Sequence, residues 1–340
     1  MQEIYFRVHY DSKSGLGHLS RSIKLSNELS KSFKVKIYLD HRKKLNPFKN
    51  KFYYLYKNEA SYNAKKDVTL FLSKIQQPSL IIIDDYRANQ IWFKAAKEKH
   101  KLILFDDFNK FPQDINLIIN TKINYIDKRN IKKVYKINKK SKILLGPKYA
   151  LLDKKKEFVV NKKNIFNIYF YSSEKVIFNE LLNISNMLSE FFEKNNIKYN
   201  FFFSCGYQIN KHDKYYSKFF KNKKFKFIFG DKISKNYKNF DLYVGSTGLN
   251  FFEMTQYNIP GLFFETSKNQ QIETYCADLF DQYFLLKRDD INNSEKIYKL
   301  IIEIKNNIRN LKKNIINSKY KLDSLGAKRI KKEILNLNAN

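Results

Sequence analysis

A chain of 340 residues exceeds the usual single-domain size, and its 43% hydrophobic and 16% aromatic content is enough for two cores, so two domains of roughly 150 residues each are expected. No apolar run approaches the ~18 residues needed to span a bilayer, the start MQEIYFRVHY lacks a basic-then-apolar secretory pattern, and Cys205 and Cys276 sit in no metal-like or redox-like spacing. The 65 Lys and Arg against 33 Asp and Glu give a net charge of +32, but the lysines are dispersed among Asn, Ile, Tyr and Phe, which marks solvated surface rather than a nucleic-acid stripe. Clusters such as Lys154, Lys155 and Lys156 or residues 221–224 fall in expected loops and allow only weak attraction to an anionic surface. The expectation is a cytoplasmic, soluble, disulfide-free monomer with no nucleic-acid partner and no stable membrane insertion.

Along the chain, residues 4–10 read as a strand and 19–30 as a helix with Leu19, Ile23 and Leu29 turned inward. Residues 35–39 and 52–56 follow as strands, with a helix ending near Gln76. Residues 80–84 form a continuous Leu-Ile-Ile-Ile run into Asp84, too short for a helix and suited to a strand buried on both faces of a parallel sheet. A helix over 88–99 and strands at 102–105 and 115–119 complete a βα alternation, the mark of a doubly wound sheet. A lysine-rich stretch over 127–142 reads as irregular, and 144–158, with Gly146-Pro147 and a charged run, as the crossover between domains. The alternation then restarts, with strands at 165–171, 198–203, 225–229, 242–244 and 262–264, before one or two amphipathic helices over 293–337. The fold class expected is α/β, with two Rossmann-like parallel-sheet domains, 1–150 and 151–340, facing each other across a cleft. The second range includes the C-terminal helices.

Ligands of such sheets gather at the carboxyl ends of the strands, where two loops stand out. The first contains Gly15-Leu16-Gly17-His18-Leu19-Ser20-Arg21. Gly15 and Gly17 let a ligand approach the main chain, and the helix start offers free N–H groups and a positive dipole end. At that helix start the dipole disfavours an imidazolium, so His18 is a candidate general base, with Arg21 one turn on. The same residues would also make a plain strand-to-helix turn with His18 as its cap. His9, His41, His100 and His212 have no comparable setting.

The second loop, Gly245-Ser246-Thr247-Gly248, opens the helix that bears Glu253. Small residues, two hydroxyls and free amides suit a diphosphate, and an ionised carboxylate, a pure acceptor, suits the two hydroxyls of a ribose. Further on, the Pro260 turn is followed by Asn269-Gln270, paired amides for sugar hydroxyls or an acyl group.

These residues, taken in order, resemble the UDP-sugar hydrolases of pseudaminic acid biosynthesis, relatives of the MurG-type glycosyltransferases with a GT-B fold. The resemblance rests on Phe6-Arg7, Gly15 to Arg21, Ile83-Asp84-Asp85-Tyr86, Phe105-Asp106-Asp107, Gly146 to Leu152 with Glu157-Phe158, and Gly245–Gly248 with Glu253, Pro260 and Asn269-Gln270. It covers roughly residues 4–280. It implies metal-independent and cofactor-free hydrolysis of a UDP-linked 2,4-diacetamido-2,4,6-trideoxyhexose by water attack at the anomeric carbon. His18 would activate the water, Tyr86 and Asn269 would line the sugar site, Gly245, Ser246, Thr247 and Gly248 would hold the diphosphate, and Glu253 the ribose.

Departures from that pattern point to a divergent member. Tyr171-Ser172-Ser173-Glu174 stands where the family has Gly-Gly, His9 replaces an acidic residue, and Asp153 stands where an arginine is expected. Asp84, Asp85, Asp106 and Asp107 could also be read as a Mg²⁺ site, though strand-end aspartates more often tie loops together. The competing functions are a GT-B glycosyltransferase with a UDP-sugar donor and a non-catalytic sugar-nucleotide-binding protein.

Overall fold

The computed structural model describes residues 1–10, 17–41, 51–57, 61–122, 125, 128–155, 165–172, 175–205, 214–228, 236–264, 283–286, 288–317 and 322–339. The chain divides into two units, Met1–Lys154 with Asp323–Asn340, and Lys155–Leu322.

In the first unit the order is β1 Glu3–Val8, α1 Gly17–Leu29, β2 Lys34–Leu39, β3 Tyr53–Tyr54, α2 Ala64–Leu72, β4 Leu80–Asp84, α3 Gln90–Lys97, β5 Lys101–Phe105, β6 Leu117–Asn120, α4 Lys128–Ile137 and β7 Lys142–Leu145. The strands lie β3-β2-β1-β4-β5-β6-β7 and every pairing is parallel. Strand order reverses between β1 and β4, whose register sets Val8 opposite Asp84, so the switch point of the sheet lies at those two strand ends.

The pleat of β4 decides which side chains meet. Leu80 and Ile82 pack with Leu19, Ile23, Leu25 and Leu29 of α1, whereas Ile81 and Ile83 pack with Val68 and Phe71 of α2 and Trp92 of α3. Successive residues of a strand point to opposite faces. Asp84 therefore continues the α1 face and Asp85 the α2–α3 face. On β1 the same alternation puts Phe6 with α1 and Tyr5 with α2 and α3.

The second unit runs β8 Phe166–Ser172, α5 Lys175–Lys194, β9 Tyr199–Cys205, α6 Lys214–Lys221, β10 Phe225–Ile228, β11 Leu242–Ser246, α7 Leu249–Gln256, β12 Gly261–Phe264, β13 Tyr283–Leu286, α8 Ser294–Asn306 and α9 Ile308–Asn317. Its strands order β10-β9-β8-β11-β12-β13, again all parallel. Aromatic rings fill its centre: Phe170 stacks on Phe203 at 5.1 Å, and Phe203 on Phe227 at 5.1 Å.

The final helix, α10 Gly326–Ala339, belongs to the first unit. Ile330 and Ile334 are fully buried in the core beside α1. A Cβ on Gly326 would come within 2.1 Å of the Ala150 carbonyl oxygen, so only glycine permits this approach. The expected range 151–340 for the second domain is corrected accordingly: 323–340 group with the first unit. Among the described residues the C-terminal region holds three helices, α8, α9 and α10, rather than one or two. The stretch over 127–142, expected to be irregular, is largely α4, whose lysines face solvent while Val134 is buried. Strands β7 and β13 were not anticipated. No helix of the described residues is long and apolar enough to cross a membrane.

Candidate functional site

At the switch point of the first unit, α1 begins at Gly17, and an added Cβ there would meet nothing within 4 Å. His18 follows, with 11% of its side chain exposed. Its Nδ1 lies 2.6 Å from Oδ1 of Asp84, which is completely buried. Arg21, one turn on, donates from Nε to Asp84 Oδ2 at 2.7 Å, from Nη2 to Asp84 Oδ1, and from Nη1 to Asp107 Oδ2 at 2.6 Å. Ser22 donates to Asp84 Oδ2 at 3.1 Å, and the Tyr86 hydroxyl donates to Asp107. The guanidinium carbon of Arg21 sits 4.6 Å over the Phe105 ring. Helical spacing thus delivers His18, Arg21 and Ser22 from one face of α1 to a carboxylate at the end of β4.

The protonation states follow from the charges. Burial by itself would raise the Asp84 carboxyl, but Arg21 and then His18 override it and hold it well below the usual carboxylate range. Asp107 is likewise lowered against its burial, by Arg21 and Tyr86. Burial, then Asp107, pushes the Tyr86 phenol far up, so it remains a donor. An ionised carboxylate only accepts, so the His18 nitrogen facing Asp84 carries the proton. Nε2 is then the ring's basic position.

The four strand-end aspartates divide their labour. Asp84 and Asp107 share Arg21, Asp85 takes the fork of Arg87 at 2.7–2.9 Å, and Asp106 accepts the amides of Phe108 at 3.2 Å and Phe111 at 2.6 Å. Among the described residues no group of three His, Cys, Asp or Glu side chains is arranged to hold a metal. On the opposite face of β4, the fully buried Arg7 binds Asp67 at 2.7 Å and Asp40 at 2.8 Å, with Asp85 at 3.5 Å. Trp92 and Tyr56 also donate to Asp67, each at 2.9 Å. His100, just before β5, accepts the Ser79 amide at 3.2 Å and is structural.

In the second unit, Gly248 has φ 87°, a left-handed conformation that glycine alone adopts freely, and α7 opens after it with no side-chain cap. Gly248 offers the first turn of α7 no side-chain acceptor, and the Phe251 amide donates to the Gly248 carbonyl at 3.1 Å. Thr247 is 2% exposed, and its Oγ1 is buried without a hydrogen-bond partner among the described residues. Leaving such a hydroxyl unsatisfied costs about 1–3 kcal/mol, which suits a ligand oxygen there. Glu253 accepts the Tyr237 hydroxyl at 2.7 Å through Oε2. Gly245 has a separate explanation, since a Cβ would lie 2.5 Å from the Tyr171 carbonyl oxygen and 2.6 Å from the Tyr243 hydroxyl. Sheet packing alone demands glycine there. Ser246 is buried, and its carbonyl accepts the Tyr243 hydroxyl at 2.7 Å.

The structure therefore brings Gly17, His18, Arg21 and Tyr86 together in one unit, and Gly245, Ser246, Thr247, Gly248 and Glu253 together in the other. Gly15, Asn269 and Gln270 lie outside the described residues, as do Ser173 and Glu174. The partnership of Tyr237 with Glu253 had no signal in the sequence. The carboxylate ending an all-apolar strand marked Asp84 as a strand-end residue, but not its partner His18.

The sequence matches no family model and no curated protein. Solved structures do match. The S. aureus MnaA structure with UDP superposes with a TM-score of 0.66 at 13% identity, covering 99% of this chain and 97% of that one. MurG of Acinetobacter baumannii gives 0.64 at 11% identity over 99% and 100%. The chain has the GT-B fold. A third GT-B relative in shape, the UDP-GlcNAc 2-epimerase of Methanocaldococcus jannaschii, gives 0.57 at 14% identity over 99% and 100%. At these identities the likeness extends to the GT-B architecture and no further.

Proposed function

We propose that this protein hydrolyses a UDP-linked 2,4-diacetamido-2,4,6-trideoxyhexose to free sugar and UDP. The observation that carries the reading is the His18 Nδ1 contact with the buried Asp84 carboxylate at 2.6 Å. It fixes the tautomer and leaves Nε2 as the proton acceptor. A water oxygen attacks the anomeric carbon as the bond from that carbon to the diphosphate oxygen breaks. His18 Nε2 takes the water proton, Asp84 stabilises the resulting imidazolium, and UDP departs with the bonding pair, giving inversion at the anomeric centre. Tyr86, edge-on to His18 at 4.2 Å, lines the sugar side. The uncapped start of α7 and the Thr247 hydroxyl receive the diphosphate, and Glu253 the ribose. Asn269 and Gln270 are assigned to the sugar from the family resemblance, as is the identity of the sugar itself. That the MnaA structure holds UDP and that MurG shares the fold support a nucleotide-sugar ligand.

The test is incubation of the pure protein with the UDP-diacetamido sugar and no acceptor. Equimolar UDP and free sugar are expected. Intact UDP-sugar that turns over only with an acceptor would replace the proposal with a glycosyltransferase. Tight binding with no turnover under either condition would replace it with a sugar-nucleotide-binding role.

A further inference from the structure

After β5 the chain makes a tight turn, Asp106-Asp107-Phe108-Asn109-Lys110-Phe111. Asn109 has φ 59° and Phe111 φ 43°, both in the left-handed region that bulky residues avoid. The turn is nonetheless held on every side. Asp106 accepts the amides of Phe108 and Phe111, and Asn109 Oδ1 accepts from Asn120 Nδ2 at 2.9 Å and from the Tyr125 hydroxyl at 2.8 Å. Its two aromatic rings meet opposite fates. Phe111 is 3% exposed against Tyr125, whereas Phe108 is held 43% exposed.

A lone exposed phenylalanine is unremarkable, but the position of this one is informative. Its ring lies 4.7 Å from Tyr86 at an interplanar angle of 77°, and Tyr86 in turn lies 4.2 Å from His18 at 74°. The three rings make a continuous edge-to-face row from the basic imidazole out to a solvent-facing phenyl. Strained backbone that persists because its surroundings over-determine it gathers at ligand sites, and here its product is an apolar ring beside two polar site residues.

We propose that Phe108 is a specificity-determining platform that packs against a methyl group of the bound sugar, deoxy or acetamido, at the His18 site. The proposal rests on the sugar-nucleotide reading above but not on hydrolysis. A phenyl face rewards a methyl-bearing sugar over a fully hydroxylated one, because hydroxyls placed there would lose water without gaining a hydrogen bond.

The experiment is calorimetric titration of His18→Ala and of the His18→Ala/Phe108→Ala and His18→Ala/Phe108→Tyr double variants. Each is titrated with UDP and with the UDP-diacetamido-trideoxyhexose, the His18 substitution suppressing turnover. UDP should bind all three equally. The additional affinity conferred by the sugar should fall about tenfold in the Phe108→Ala background, the scale of one methyl in an apolar pocket, and survive in Phe108→Tyr. An increment untouched by Phe108→Ala, a parallel loss of UDP affinity, or no sugar increment in His18→Ala itself would each overturn the platform. A Phe108-dependent increment in a protein whose wild type releases no free sugar would uphold the platform and remove the hydrolase.

Discussion

Two arginine-centred networks flank β4, one reached through Asp84 and the other through its neighbour Asp85. The first joins Arg21 to Asp84 and Asp107 and ends in His18; the second joins Arg7 and Arg87 to Asp40, Asp67 and Asp85. Arg7 is fully buried, with Nε, Nη1 and Nη2 all donating inside the protein, one of them to the Val8 carbonyl. Arg21 and His18 keep 16% and 11% of their side chains exposed. The first network gathers two carboxylates and one guanidinium around the His18 ring. The second buries Arg7 and Asp67 completely, though Arg87 keeps 22% of its side chain exposed, and it ties the ends of β1 and β4 to α2. Asp84, the last residue of β4, and Asp85 just after it thus anchor two separate networks on opposite faces of the sheet.

The sharpest way to break that contrast is to remove one member from each side. His18→Ala should lower kcat about 10³-fold, the usual worth of a positioned base, with UDP affinity and thermal stability unchanged. Equal losses in turnover and in UDP affinity would show a structural histidine. Arg7→Ala should instead cost about 3–5 kcal/mol of stability, read by urea denaturation, because it strands buried carboxylates. A stable but inactive Arg7→Ala would mean that the second network also takes part in catalysis.

Acid should probe both networks together. Burial alone would raise the carboxyls of Asp40, Asp84, Asp85 and Asp107, but the arginines override it and lower all four. Their folded values lie below the unfolded value of about 3.9, so their stabilisation is complete above about pH 4 and is lost as pH falls through the depressed values. Denaturation midpoints should therefore drop on acidification below about pH 4; midpoints that hold or rise there would contradict the assignment. Smaller effects are expected in the second unit. Glu253→Ala should weaken UDP about tenfold by calorimetry, the scale of a hydrogen bond to a charged group. Tyr237→Phe should weaken it only about two- to fivefold, since the carboxylate keeps its other acceptor sites. Unchanged UDP affinity in Glu253→Ala would remove the ribose role.

Local pattern carried much of this. The Leu80–Asp84 strand was legible to the residue, because a run buried on both faces needs apolar side chains at every position. The glycines before His18 marked a strand-to-helix turn at the edge of a parallel sheet. What could not be read was partnership across the fold. His18 and Asp84 are 66 residues apart in sequence and meet only because β1 lies beside β4. The helical character of 128–137 was hidden by its lysines, and the exposed Phe108 sits in a turn with two left-handed residues, of which Asn109 is a usual choice and Phe111 is not.

The return of α10 to the first unit has a consequence for biosynthesis. Ile330 and Ile334 complete the core beside α1, Arg329 donates to the Lys148 carbonyl at 2.8 Å, and Lys101 donates to the Leu337 carbonyl at 2.8 Å. The first unit is thus completed by a helix translated after the whole of the second. Until it emerges, the nascent α1 face has an apolar gap where those two isoleucines belong, a surface open to chaperones while the intervening domain is being made.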